Sequence, residues 1–186
     1  MSSGTGRLFY VMGPSGAGKD SFMQAVREHW GEGLLVAHRY ITRAASAGGE
    51  NHIELSEPEF SARQELGLFA LSWAANGHRY GVGREIESWL ASGLDVMVNG
   101  SREYLPQARA RFAERLVPVM ISVDSETLGR RLRARGRESE ADIIRRLERA
   151  SALDLALPDD VWRLDNSGAL TDTLRQFRRY LQALPA

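Results

Sequence analysis

The chain has 186 residues, 24 basic and 24 acidic, for a formal net charge of zero. That balance supplies no bulk attraction to nucleic acid or to an anionic membrane, and the lack of cysteine excludes disulfides and thiolate metal sites. No apolar run approaches the roughly 20 residues needed to cross a bilayer, and the N-terminus has no signal-peptide layout, so a soluble cytoplasmic protein is expected.

In chain order, residues 8–12 (Leu-Phe-Tyr-Val-Met) form a short apolar run suited to a buried parallel strand, and residues 21–27 read as a helix. Residues 34–37 start a second strand. From about 42 to 82 the rhythm changes. Ser56-Glu57-Pro58-Glu59 is a capping-box start with proline in the first turn, opening a short helix to Leu66. Residues 68–74, Asn76-Gly77 and 78–82 read as a hairpin, because Asn-Gly suits a tight two-residue turn. The alternation then resumes, with strands at 95–99, 117–123 and 161–165. Helices are expected at 85–91, 104–114, 125–135, 141–153 and 170–184. Strands alternating with helices predict an α/β fold with a central parallel sheet flanked by helices.

The most informative residue is Lys19, the only lysine beside 23 arginines. It ends the run Gly13-Pro14-Ser15-Gly16-Ala17-Gly18-Lys19, which has the spacing of a Walker A loop. A compact ammonium on a flexible stem reaches the β- and γ-phosphates of a nucleotide, where a broad guanidinium does not fit. Strand, glycine loop and helix N-terminus together make an anion site from free N–H groups and the helix dipole. The residue after the lysine departs from the usual Ser or Thr: it is Asp20, with Ser21 next. Either Asp20 or Ser21 is expected to meet Mg²⁺, because a carboxylate beside phosphates requires a cation between them. A carboxylate in the first helical turn also complements the dipole, so Asp20 keeps that second reading.

A second cluster is rich in arginine: Arg130, Arg131, Arg133, Arg135 and Arg137, then Arg145, Arg146 and Arg149. Glu138, Glu140 and Glu148 are available to pair with part of it. In a phosphate-loop kinase a mobile arginine segment closes over the triphosphate and neutralises the transferring group. Arg135-Gly136-Arg137 suits a lid hinge, and Arg131 shares a helical face with Arg135. The expected organisation is a single domain over 1–186. Its core is 7–41 and 83–186, its lid about 133–142, and its small α+β acceptor-binding insert about 42–82.

Over nearly its whole length the chain resembles the guanylate kinase superfamily of P-loop kinases. The shared landmarks are the loop at 13–19, Thr42-Arg43, Glu57-Pro58-Glu59-Phe60, Tyr80-Gly81, the arginine run at 131–137, and Asn166. It resembles more closely the ribose 1,5-bisphosphate phosphokinases of phosphonate degradation. That match lies in Gly-Lys-Asp-Ser at 18–21, Val-Ala-His-Arg-Tyr-Ile-Thr-Arg at 36–43, Glu-Asn-His-Ile at 50–53, Ala-Leu-Ser-Trp at 70–73 and Val-Asn-Gly-Ser-Arg at 98–102.

The resemblance implies an ATP-dependent transfer to the 1-phosphate of ribose 1,5-bisphosphate, giving 5-phosphoribosyl 1-diphosphate and ADP. It implies that Gly13, Pro14, Ser15, Gly16, Ala17, Gly18 and Lys19 hold the ATP phosphates and that Asn166 touches the adenine. It also implies that Arg43 and Tyr80 grip the acceptor phosphate. Arg131, Arg135 and Arg137 are the lid candidates, with Arg146 reaching in from the next helix. Relative to guanylate kinases, Ala44-Ala45-Ser46-Ala47 supplies no second phosphate arginine, Asn51-His52-Ile53 replaces the tyrosine segment, and Asn99 stands for an acid. Arg39 and Arg102 are new bases. Arg39, His52, Asn99 and Arg102 are therefore expected at the sugar and its distal phosphate. A guanylate kinase acting on GMP and a non-catalytic binding module are the competing readings. A small-molecule sugar bisphosphate is the expected partner, with no nucleic acid or membrane, and a homodimer is left open.

Overall fold

Every residue of β1 (Leu8–Met12) is 0% exposed, as a strand covered on both faces requires. The computed structural model describes residues 6–30, 33–155 and 157–184. After β1 come α1 (Lys19–His29), β2 (Leu34–Val36), β3 (Arg39–Ile41), β4 (Ile53–Glu54), α2 (Glu57–Glu65), β5 (Phe69–Ala75) and β6 (His78–Gly83). They are followed by α3 (Glu85–Ala91), β7 (Asp95–Asn99), α4 (Leu105–Phe112), β8 (Leu116–Ser122), α5 (Ser125–Arg135), α6 (Glu140–Leu155), β9 (Trp162–Asp165) and α7 (Leu170–Ala183).

The central sheet has five parallel strands in the order β2–β7–β1–β8–β9 and is flanked by helices. A second sheet runs β4–β3–β6–β5. In it β3 is parallel to β4, and β6 is antiparallel to both β3 and β5. The chain divides into two compact units, Met1–Tyr10 with Met23–Val117 and Val11–Phe22 with Pro118–Ala186.

Within the first unit the hairpin closes through Asn76 and Gly77, both at positive φ (50° and 75°), the conformation that an Asn-Gly turn provides. The α2 helix starts where its cap was read: the Ser56 hydroxyl accepts from Glu59 N–H at 3.3 Å, and proline stands in the first turn. Phe60 on its buried side packs at a tilt against Phe69, with ring centroids 4.6 Å apart. Strands β3 and β4 were not anticipated. They are three and two residues long, and only pairing with β6 and with each other makes them strands. The helix expected at 104–114 stops at Phe112, because Ala113 takes φ +45° and turns the chain.

Within the second unit Leu128, Leu132 and Ile143 form a buried cluster that joins α5 to α6. Asp124 caps α5, accepting from Thr127 N–H at 2.7 Å, and Gly136 ends it in the left-handed conformation. Phe22 meets Phe177 edge to face at 5.6 Å, packing the first helix of the loop segment against α7.

Candidate active site

The phosphate loop lies in the second unit. Gly18 has φ +88°, where a side chain is strained, and a Cβ there would also collide with Asn166 Nδ2. The loop is closed internally by Ala17 N–H to Pro14 O at 3.1 Å and entered by α1 through Phe22 N–H to Gly18 O at 3.0 Å. Lys19 Nζ donates to Gly13 O at 2.8 Å, so the ammonium already lies along the loop. Asp20 and Ser21 are exposed in the first turn of α1. No group of three or more His, Asp or Glu side chains able to hold a metal occurs among the described residues. A divalent ion there would take most of its ligands from phosphate and water.

Behind the loop stands a connected set of side chains. Asn166, 4% exposed, donates from Nδ2 to Ala17 O at 2.6 Å. Its Oδ1 accepts from the Thr173 hydroxyl at 2.8 Å, and Thr173 is fully buried. Arg131 donates from Nη2 to Asn166 O at 2.8 Å and from Nη1 to Ala17 O at 3.4 Å. The other arginines of the cluster differ. Arg146 is paired with Glu138 at 2.7 Å, Arg133 pairs with Glu140, and Arg135 and Arg137 are exposed.

The residues expected at the acceptor lie in the first unit. Arg39 makes a bidentate ion pair with Glu50, its Nε 2.7 Å from Oε1; the two side chains are only 12% and 13% exposed. Its guanidinium lies 4.8 Å from the Tyr80 ring centre and 5.7 Å from that of Trp73. Trp73 is stacked on Tyr80 at 5.7 Å and on Tyr104 at 5.5 Å, forming a continuous aromatic wall. His52 is 7% exposed, with Nδ1 3.0 Å from Glu50 O and Nε2 2.9 Å from Arg43 O. The ring therefore ties together the loop that carries both residues.

The segment after β7 is clamped by Tyr10. The phenol donates to Ser101 O at 2.8 Å and accepts from Ser101 N–H at 2.9 Å, and a Cβ on Gly100 would collide with the ring. Burial pushes the Tyr10 hydroxyl well above the ordinary phenol range, so it stays protonated and can donate. Asn99, 4% exposed, ends β7, and Arg102 follows two residues after Gly100.

Three buried guanidinium nitrogens have no hydrogen-bond partner in the protein among the described residues: Arg27 Nε, Arg43 Nε and Arg102 Nη1. Leaving such a donor unmet costs about 1–3 kcal/mol, which calls for an explanation at each position. Two of the three belong to residues that the sequence places at the acceptor.

The structure thus gathers Gly13 to Lys19, Arg131 and Asn166 in one unit and Arg39, Arg43, His52 and Tyr80 in the other. Sequence reasoning missed Glu50, Tyr10, Trp73, Tyr104 and Thr173 as participants. Glu50 and Trp73 lie in the strings at 50–53 and 70–73 that carry the resemblance, but nothing local assigns them a partner, and Tyr10, Tyr104 and Thr173 carry no local signal. Each is recruited by a partner at least seven residues away, and Tyr10 by one 91 residues away.

No protein-family model matches the chain. It is 54% identical over 176 residues to the ribose 1,5-bisphosphate phosphokinase PhnN of Pantoea vagans (strain C9-1), covering 95% of this chain and 97% of that protein. The protein of the same name from Dickeya zeae (strain Ech586) is 52% identical over 177 residues, covering 95% and 94%. The one from Thiobacillus denitrificans (strain ATCC 25259 / T1) is 56% identical over 147 residues, covering 78% and 77%. Among solved structures, guanylate kinase from Anaplasma phagocytophilum superposes with a TM-score of 0.71 at 18% identity, covering 96% of this chain and 86% of that one. That likeness is one of fold.

Proposed function

The chain belongs to the ribose 1,5-bisphosphate phosphokinase family, and from that membership we propose how its own residues transfer the γ-phosphoryl group of ATP to the 1-phosphate of ribose 1,5-bisphosphate. An oxygen of the 1-phosphate attacks the γ-phosphorus and the bond to the β–γ bridging oxygen breaks. ADP leaves and 5-phosphoribosyl 1-diphosphate forms. A phosphate monoester with a second pKa of about 6 is largely dianionic at neutral pH, so no strong general base is needed. Positioning and charge neutralisation carry the reaction.

The loop N–H groups and Lys19 hold the β- and γ-phosphates. Arg131, Arg135 and Arg137 meet the transferring group, and Arg146 joins them on exchange from Glu138; residues about 133–142 act as the lid. Asp20 and Ser21 present exposed oxygen donors in the first turn of α1, a chemistry that suits Mg²⁺. Bound there, Mg²⁺ would supply charge neutralisation across the β- and γ-phosphates. Residues of about 42–82 serve as the acceptor insert. In it Arg43 and Tyr80 take the 1-phosphate and His52, its ring nitrogens held by Glu50 O and Arg43 O, supports the loop beside them, while Arg102 and Asn99 beyond it face the sugar and its 5-phosphate. Arg39 contributes through Nη1, the nitrogen that Glu50 does not engage.

The observation that supports a doubly charged acceptor is the pair of orphaned buried donors, Arg43 Nε and Arg102 Nη1. Each is a cationic donor that the protein leaves unmet among the described residues, which suits an anionic acceptor. The acceptor is a small molecule, and a cytoplasmic enzyme without a nucleic-acid partner fits the neutral chain. No helix among the described residues is long and apolar enough to cross a membrane. The test is ³¹P NMR with Mg-ATP, offering ribose 1,5-bisphosphate and GMP in separate tubes. A new diphosphate signal with the sugar alone is expected. Turnover of GMP in preference to the sugar would overturn the acceptor assignment.

A further inference from the structure

The side chain of Asn166 has a role different from the adenine contact that the resemblance implies. Its side chain is buried, and both of its polar ends are engaged inside the protein. Nδ2 is given to Ala17 O, in the turn of the loop that presents its N–H groups to phosphate, and Oδ1 is held by Thr173. The amide orientation follows from the partners, since a carbonyl oxygen needs a donor and a hydroxyl has one to offer. The Thr173 hydroxyl also lies 3.0 Å from Asp165 O, so its single proton is shared between that carbonyl and the shorter contact to Asn166 Oδ1. Nδ2 also fills the space where a side chain on residue 18 would stand. The backbone carbonyl of Asn166 meanwhile receives Arg131.

We propose that Asn166 and Thr173 form a brace that sets the geometry of the phosphate loop, making Asn166 a positioning residue for phosphoryl transfer that acts through Ala17 and Gly18 rather than through the nucleobase. An N–H cradle stabilises a phosphate only when its donors are preorganised, and a small displacement at the loop is felt at the transferring group. Thr173 is the decisive member. It is fully buried, it touches Asn166 and not the loop, and removing its hydroxyl releases the amide without changing any group that faces a ligand.

This inference rests on the kinase reading only in that the loop binds a nucleoside triphosphate; it is independent of which acceptor is used. The experiment compares Thr173→Val, Thr173→Ser and Asn166→Ala with the parent chain. Turnover is measured with ATP and with GTP, and calorimetry is run with MgADP and with adenosine. Thr173→Val should lower kcat/KM for ATP and for GTP by the same factor, about tenfold, leaving the acceptor KM unchanged. Thr173→Ser, which keeps the hydroxyl, should recover to within about twofold. MgADP binding should weaken in Thr173→Val and Asn166→Ala while adenosine binding does not. That arm needs no sugar, so it remains decisive if the acceptor assignment fails. A changed ATP-to-GTP ratio in Asn166→Ala with Thr173→Val at parent activity would assign Asn166 to the base and overturn the brace. Parent-level activity and MgADP affinity in both variants would overturn it as well. Melting temperatures report folding; if Thr173→Val does not fold, Thr173→Ser and Asn166→Ala decide alone.

Discussion

The phosphate loop and the proposed acceptor region differ in how their polar groups are matched. Around the loop the polar groups of Lys19, Asn166, Thr173 and Arg131 already have protein partners, so the backbone is fixed before any nucleotide arrives. In the acceptor region Arg39 is matched to Glu50, yet Arg43 and Arg102 keep buried donors without partners. The first arrangement is held by contacts within the protein. On the proposed assignment the second is completed by its ligand, and an acceptor with too few oxygens would leave a cost unrecovered.

The comparison breaks most readily at Lys19. Lys19→Ala or Lys19→Arg should reduce turnover by about 10²–10³-fold with the melting temperature unchanged, as expected for loss of one preorganised charge at the transferring group. Near-parent rates in either variant would remove the contrast altogether. Next comes the paired arginine. Glu50→Ala leaves Arg39 buried and unmatched and should cost about 3–5 kcal/mol in urea unfolding, whereas Arg39→Met with Glu50→Leu should cost much less. Equal costs would mean that the aromatic wall, not the ion pair, holds this loop.

Smaller effects sharpen the selectivity argument. Arg102→Ala and Arg43→Ala should each raise the acceptor KM by about 10- to 100-fold while the KM for ATP stays put, in line with one charge-assisted hydrogen bond each. If the two KM values rise together, those residues act on the fold and not on the ligand. Tyr10→Phe removes both bonds to Ser101 and should destabilise the protein by about 1–3 kcal/mol and raise the acceptor KM a few-fold. Because burial raises the Tyr10 pKa, the phenol holds its proton across the working range. Its share of stability is complete below the ordinary phenol value and is lost as the pH rises from there through the folded one, so activity should show no inflection from this group at pH 6–9.

The strands of the central sheet were legible because each is written locally as an apolar run. The apolar run before Gly13 gives β1 at the bounds observed, and the helix expected at 125–135 is α5. The hairpin followed from Asn76-Gly77 for the same reason. Strands β3 and β4 were not legible, since three and two residues carry no period and become strands only through their neighbours. The candidate site divides along the same line. A phosphate loop is contiguous and reads as a motif. The Arg39–Glu50 pair, the Tyr10 clamp and the Thr173 contact join residues that are far apart or unremarkable in sequence, and no spacing rule anticipates them.

The separation between the loop and its brace bears on how the chain is made. Ala17 and Asn166 stand 149 positions apart. A polypeptide emerging from the ribosome therefore carries the whole nucleotide-binding motif long before the residue that shapes it. Until the second half has been synthesised and folded, the segment is a sequence without a binding surface, and unfinished chains should compete poorly for cellular nucleotide. The same distance limits transplantation: moving residues 13–21 into another scaffold carries the letters of the motif and leaves its support behind.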